Sequence, residues 1–237
     1  MSTKNIKKAK YLLSKICAIV ILCTAVLQTL PASLTTAYAR GTGGIKGNNL
    51  PAGYVTQEQM KLASPWSGTN EMPLYNVMRK AGIGQKITIA FIGGSITKGT
   101  MSRGTRDDSM NKKLTYVDYF TNWWYKTFPK ADLRFVNAGI SATDSYLGVH
   151  RVQKDVLDKK PDLVVVEFAV NDKKTAYHKQ AYENLIRKIM DSPSKPAVML
   201  LFMAKLNGWS CQMQQAEIGR HYHLPMLSYG NVMKDMV

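Results

Sequence analysis

Cysteine, histidine and acidic residues are all scarce in this 237-residue chain, and each scarcity excludes a class of protein. Of the three cysteines, Cys17 and Cys23 fall in a segment that reads as removable, leaving Cys211 alone. A disulfide framework within the mature chain is therefore excluded, and Cys211 reads as a buried or incidental thiol rather than a reactive one. The four histidines, His150, His178, His221 and His223, form no cluster with cysteines at zinc-ligand spacing, so neither a metal nor an organic cofactor is expected. Acidic residues number 16 against 32 Lys and Arg, a formal charge of +16. No arginine-rich run or RNP-type motif accompanies that charge, so nucleic acid is not the expected partner, whereas anionic wall polymers or polysaccharides suit it. Long hydrophobic runs are also missing, apart from one near the start.

That run belongs to residues 1–39, which have the layout of an export signal. Lys4, Lys7, Lys8, Lys10 and Lys15 form a basic head, Ile16 to Leu30 an apolar stretch of 15 residues, and Ala37-Tyr38-Ala39 a small-x-small cleavage site. The stretch is short for a bilayer span, so membrane contact is expected only in transit and the mature protein is expected outside the cell or at its wall. Five lysines and no acids leave with it, and the charge falls from +16 to +11 over the 198 residues that remain. Residues 40–64, rich in Gly, Asn, Thr and Gln, read as a flexible linker, and 65–237 as one globular domain.

What is present is a core: 45% of the residues are apolar and 9% aromatic. Short apolar runs at Ile87–Ile92, Leu133–Asn137, Asp162–Phe168, Ala197–Met203 and Pro225–Tyr229 predict five strands, covered on both faces because the runs are continuous. Tyr116, Tyr119, Phe120, Trp123, Trp124 and Phe128 recur at helical spacing; the stripe resembles a substrate platform but reads better as a helix packed on a sheet. Further helices are expected around Leu147–Lys159, Lys174–Met190 and Trp209–Tyr222. Alternating strands and helices predict an α/β fold, a three-layer α/β/α flavodoxin-like arrangement around a parallel sheet of about five strands. In such sheets chemistry gathers at the carboxyl ends of the strands.

Three strand ends carry polar, small-residue sequences. After the first comes Gly93-Gly94-Ser95-Ile96-Thr97-Lys98-Gly99, in which two glycines turn the chain and Ser95 opens a helix. A phosphate loop would require Gly-Lys-Ser/Thr, but the order here is Lys98-Gly99-Thr100; a nucleophile elbow would require glycine at Thr97. After the second comes Asn137-Ala138-Gly139-Ile140-Ser141-Ala142-Thr143-Asp144, and after the third Ala169-Val170-Asn171-Asp172. Asn171 can aim a side-chain N–H at a developing oxyanion, although capping the next helix is an equally ordinary task for Asn171 and Asp172.

Together these motifs resemble the first three sequence blocks of the SGNH hydrolases, also called GDSL esterases and lipases, over roughly Ile87 to Tyr229. The resemblance implies Ser95 as nucleophile, Asn171 as oxyanion-hole asparagine, and the backbone N–H of Ala142 in place of the family's oxyanion-hole glycine. Gly94 replaces the family's block-one aspartate, a change expected to leave the serine turn intact. The family's Asp-x-x-His, which supplies the general base, has no counterpart here, and the chain is read as a hydrolase domain lacking its final segment. The implied function is a secreted serine esterase acting on acyl, in particular acetyl, esters of a carbohydrate, impaired in this chain for want of the histidine. Two alternatives stay open: a non-catalytic glycan-binding protein on a degenerate SGNH fold, and a flavodoxin-like cofactor binder.

Overall fold

The computed structural model describes residues 61–66, 68–99, 115–205 and 207–233; the signal segment and residues 40–60 of the linker lie outside the described residues. At its far end the linker assignment is corrected. Residues 61–63 are helical, Ala63 is completely buried, and the Leu62 carbonyl accepts a hydrogen bond from Asn231 Nδ2 at 3.2 Å. Of the three, only Ala63 enters the core; Lys61 and Leu62 stay exposed.

Five strands, β1 (Lys86–Gly93), β2 (Asp132–Gly139), β3 (Leu163–Glu167), β4 (Ala197–Phe202) and β5 (Met226–Ser228), pair in parallel in the order β2-β1-β3-β4-β5. The helices between and around them are α1 (Met72–Gly82), α2 (Ser95–Lys98), α3 (Tyr116–Thr127), α4 (Ser145–Asp155), α5 (Ala176–Met190), α6 (Gln212–His221) and α7 (Tyr229–Met233), with a 3-10 turn at Leu157–Lys159.

Because side chains alternate along a strand, each apolar run feeds two cores. Ile87, Ile89, Phe91, Leu163, Val165, Met199 and Leu201 pack with α1, α3 and Val232 of α7 on one face. Ala90, Ile92, Val164, Val166, Val198, Leu200 and Phe202 pack with α4, α5 and α6 on the other. The result is the three-layer α/β/α arrangement expected from the sequence. The aromatic stripe is α3: Phe120 and Trp124 are buried against Phe91 and Phe128, and a Thr115/Asp118 capping box starts the helix.

Two expectations differ from the structure. β2 is not covered on both faces but lies at the sheet edge with Asp132, Arg134 and Asn137 exposed, as the charges in its sequence fit. The helix α1 went unforeseen, although Leu74, Val77, Met78 and Ala81 make a clear buried stripe.

Candidate active site

In the order 2-1-3-4-5 the chain leaves β1 toward one face of the sheet and leaves β2 and β3 toward the other. The directions diverge at the carboxyl ends of β1 and β3, the place where sheets of this kind form a binding crevice. Ser95 stands there, half-buried, as the first residue of the one-turn helix α2. Its own N–H is one of the helix-start donors that find no acceptor within the turn. Among the described residues Ser95 Oγ has no hydrogen-bond partner.

The Asn171 carboxamide lies against the residue before it. A Cβ placed on Gly94 would fall 2.3 Å from Asn171 Oδ1, 2.8 Å from Cγ and 2.9 Å from Nδ2. Gly94 is therefore more than a tolerated replacement for aspartate: its missing side chain is the space the carboxamide fills. Asn171 Oδ1 is buried without a hydrogen-bond partner among the described residues. The backbone N–H groups of Asn171 and Asp172 both turn back to Phe168 O at 3.0 Å, which shapes the loop.

Neither residue caps the following helix, because Thr175 does so by accepting from His178 N. Asp172 instead is buried and ties loops together, accepting from Ser145 N and from Gln215 Nε2, each at 2.8 Å. Burial raises its pKa above the ordinary carboxylate value, opposed by those hydrogen bonds and by nearby His178.

Ala142 sits in the exposed turn after β2, at φ 58, in the left-handed region that favours glycine. The glycine that the resemblance implies there has this physical reason. The β2 loop is fastened to the serine turn by Ile140 N donating to Gly93 O at 3.1 Å and Asn137 Nδ2 donating to Thr97 O at 2.9 Å. Among the described residues no hydrogen bond joins Ala142 to Ser95.

Arg151 on α4 completes the frame, and no sequence signal marked it. Its Nη1 donates to Ala138 O at 2.6 Å and its Nη2 to Gly93 O at 3.1 Å, clamping the ends of β2 and β1. Cys211 is buried with Sγ donating to Asp172 O at 2.9 Å, and burial pushes its thiol up to about 11. Its burial agrees with the sequence reading of a buried thiol.

None of the four histidines is placed to serve Ser95. Both ring nitrogens of the buried His178 are engaged, Nδ1 with Thr175 Oγ1 at 2.8 Å and Nε2 with Asp144 Oδ2 at 3.5 Å. His150 is exposed and rests on Tyr146. His221 ends α6 and His223 precedes β5, at the opposite, amino edge of the sheet. Among the described residues no group of three His, Cys, Asp or Glu side chains could hold a metal ion.

A 2-1-3-4-5 parallel sheet with a serine turn, a small-residue loop and an asparagine loop at successive strand ends defines the class of protein: it has the three-layer α/β/α fold of an esterase-type hydrolase. The solved structure of a two-domain esterase active on acetylated mannans matches it with TM-score 0.67 and 40% identity, covering 72% of this chain and 44% of that one. The same esterase co-crystallised with mannopentaose matches with TM-score 0.64 and 41% identity, over 69% and 44%. An acetylxylan esterase of Geobacillus stearothermophilus is 34% identical over 94 residues, 39% of this chain and 42% of its own length. The chain thus spans less than half the length of these relatives. No family model matches it.

Proposed function

We propose that the protein is an exported serine ester hydrolase that removes acyl groups, acetyl above all, from a carbohydrate. The observation that carries this reading is the seating of the Asn171 carboxamide on Gly94, which brings an uncharged donor from β3 beside the serine turn of β1. Ser95 Oγ attacks the ester carbonyl and gives its proton to solvent water; the N–H groups of Ser95 and Ala142 and Asn171 Nδ2 hold the charge that develops on the carbonyl oxygen. The bond to the sugar oxygen breaks, that oxygen takes a proton from water and leaves as the hydroxyl, and a second water releases the acid from the acyl-serine and restores the serine hydroxyl. The likeness to an esterase active on acetylated mannans supports both the reaction and the substrate class.

A second feature favours a glycan. Tyr146 and Tyr177, the second residues of α4 and α5, are 42% and 53% exposed with ring centroids 5.3 Å apart. They stand on the crevice side of the sheet, since Ser145 N is held by Asp172 and His178 meets Asp144. Rings exposed in this way offer an apolar face to the C–H face of a pyranose. Export rests on the basic head, the Ile16–Leu30 stretch and the Ala37-Tyr38-Ala39 site; protein recovered from the culture medium beginning at Arg40 is the expected result.

Because no histidine reaches Ser95, the chain by itself is expected to turn over slowly, since loss of that base costs on the order of a millionfold. The test is acetate release from acetylated mannan and acetylated xylan, with and without added imidazole as an external base. Release that imidazole raises and Ser95→Ala abolishes supports the reading. Cleavage of long-chain lipid esters alone would refute the carbohydrate assignment. Saturable glycan binding with no Ser95-dependent release would favour the second reading, a glycan-binding protein, which the engaged ring nitrogens of His178 and the remote His221 and His223 motivate.

A further inference from the structure

Glu167, the last residue of β3, is a carboxyl group with no exposure at all, and the chemistry above does not use it. In the sheet it pairs with Gly93, the last residue of β1, directly beneath the serine turn. Gly93 has no side chain, and a Cβ there would fall 2.0 Å from Thr97 Oγ1 and 2.5 Å from Glu167 O. The bare Cα lets the Thr97 hydroxyl descend onto the strand end. There it donates to Glu167 Oε2 at 3.3 Å and shares a hydrogen bond with Tyr116 Oη at 3.0 Å, all within the core.

Thr97 is the third residue of a helix of four that begins at Ser95. A single turn does not sustain itself, because its nucleation costs more than its few hydrogen bonds return. Its orientation must come from anchors, among them the Thr97 hydroxyl below, Asn137 Nδ2 donating to Thr97 O at the side, and Ile96 packed against the core. We propose that Glu167 is a positioning residue: through Thr97 its carboxyl fixes the turn that presents Ser95, with Tyr116 as the opposing arm. The catalytic consequence rests on the reading of Ser95 as nucleophile; the positioning does not.

The protonation of Glu167 matters to this role. Burial raises its pKa from 4.5 to about 8, with the Thr97 hydrogen bond and the Ala169 N–H opposing and the charge of Asp172 adding. The titratable groups near it are Tyr116 from α3 on its own face of the sheet, Asp172 from its own loop and, across the sheet, Tyr182 from α5, none of which brings a positive charge. Glu167 Oε1 accepts no hydrogen bond of normal geometry. The anchor is thus a neutral acid below about pH 8 and an uncompensated anion above it.

The test follows the 13C resonances of Gly94 to Gly99 from pH 6 to 9.5 in the whole chain, in wild type, Glu167→Gln, Glu167→Ala and Thr97→Val. In the wild type these resonances should titrate together with a midpoint near 8. In Glu167→Gln they should be flat and lie at the low-pH wild-type positions, because the amide reproduces the neutral acid. In Thr97→Val they should be displaced and no longer follow Glu167. The functional arm is Ser95-dependent acetate release: Glu167→Gln keeps the pH 7 rate and extends it to pH 9, while Glu167→Ala lowers kcat at least tenfold with KM unchanged. If the turn keeps the wild-type titration in Glu167→Gln, or does not move in Thr97→Val while only thermal stability falls, Glu167 is a packing residue and the proposal is wrong. Should Glu167→Ala fail to fold, the Gln and Val variants still decide. Absence of Ser95-dependent hydrolysis in the wild type would sink the esterase reading, while the resonance titration would continue to judge the positioning.

Discussion

At Gly94 the role of a residue is set by what it does not carry. The space beside its Cα holds the Asn171 carboxamide, so any side chain there competes with the proposed oxyanion donor. Gly94→Ala should leave the fold intact, because the group in its way is the end of a side chain, yet should lower kcat by roughly 10²- to 10³-fold, the usual effect of losing one such donor. Asn171→Ala should match it, and the double variant should be no worse than either. Steady-state kinetics checks this; additive losses would show that the two residues act separately. Ala142 illustrates the reverse case, a side chain where none is wanted. Its φ of 58 costs about 1 kcal/mol relative to an allowed conformation, and Ala142→Gly should raise Tm by about 2 °C once the extra flexibility of glycine in the unfolded chain is set against that strain. A lower Tm in a thermal melt would show that the turn is not strained.

Among the elements, the strands and the helices α3 to α6 were readable, whereas α1 was not despite its buried stripe. The runs Ile87–Ile92 and Ala197–Phe202 are apolar at almost every position because both faces are covered, and runs so short and so continuous fit a buried strand better than a helix. By contrast α2 is too short for any periodicity, and its existence depends on Thr97 and Asn137 reaching partners on other elements. Helices α4 and α5 matter for what their first turns expose. The Tyr146→Ala/Tyr177→Ala variant should raise KM for acetylated polysaccharide several-fold and leave the hydrolysis of p-nitrophenyl acetate unchanged, because only the polymer extends to those rings. Equal effects on both substrates would mean that the pair supports the fold instead.

For the molecule as a whole, the two buried carboxyls make stability depend on pH. Both Glu167 and Asp172 have folded-state pKa values raised above their unfolded ones, so each binds its proton more tightly when folded. The stabilisation from Glu167 is complete below about pH 4.5, declines as pH rises, and is gone above about 8; Asp172 acts in the same direction from a lower starting point. Thermal melts of the wild type should therefore show Tm falling between about pH 5 and 8, and Glu167→Gln should flatten much of that fall; a Tm rising with pH over that range would contradict it. The layers, the parallel sheet and the serine and asparagine loops were all present in the sequence, since hydrophobic period and turn residues are local properties that survive translation into structure. Glu167 was visible too, as an acid inside an apolar run, but its meaning was not. Which residues meet was decided only by the tertiary structure, because the strand order 2-1-3-4-5 brings together groups as remote in sequence as Gly94 and Asn171, 77 positions apart, and directs His221 and His223 to the far edge. No local pattern encodes that distance.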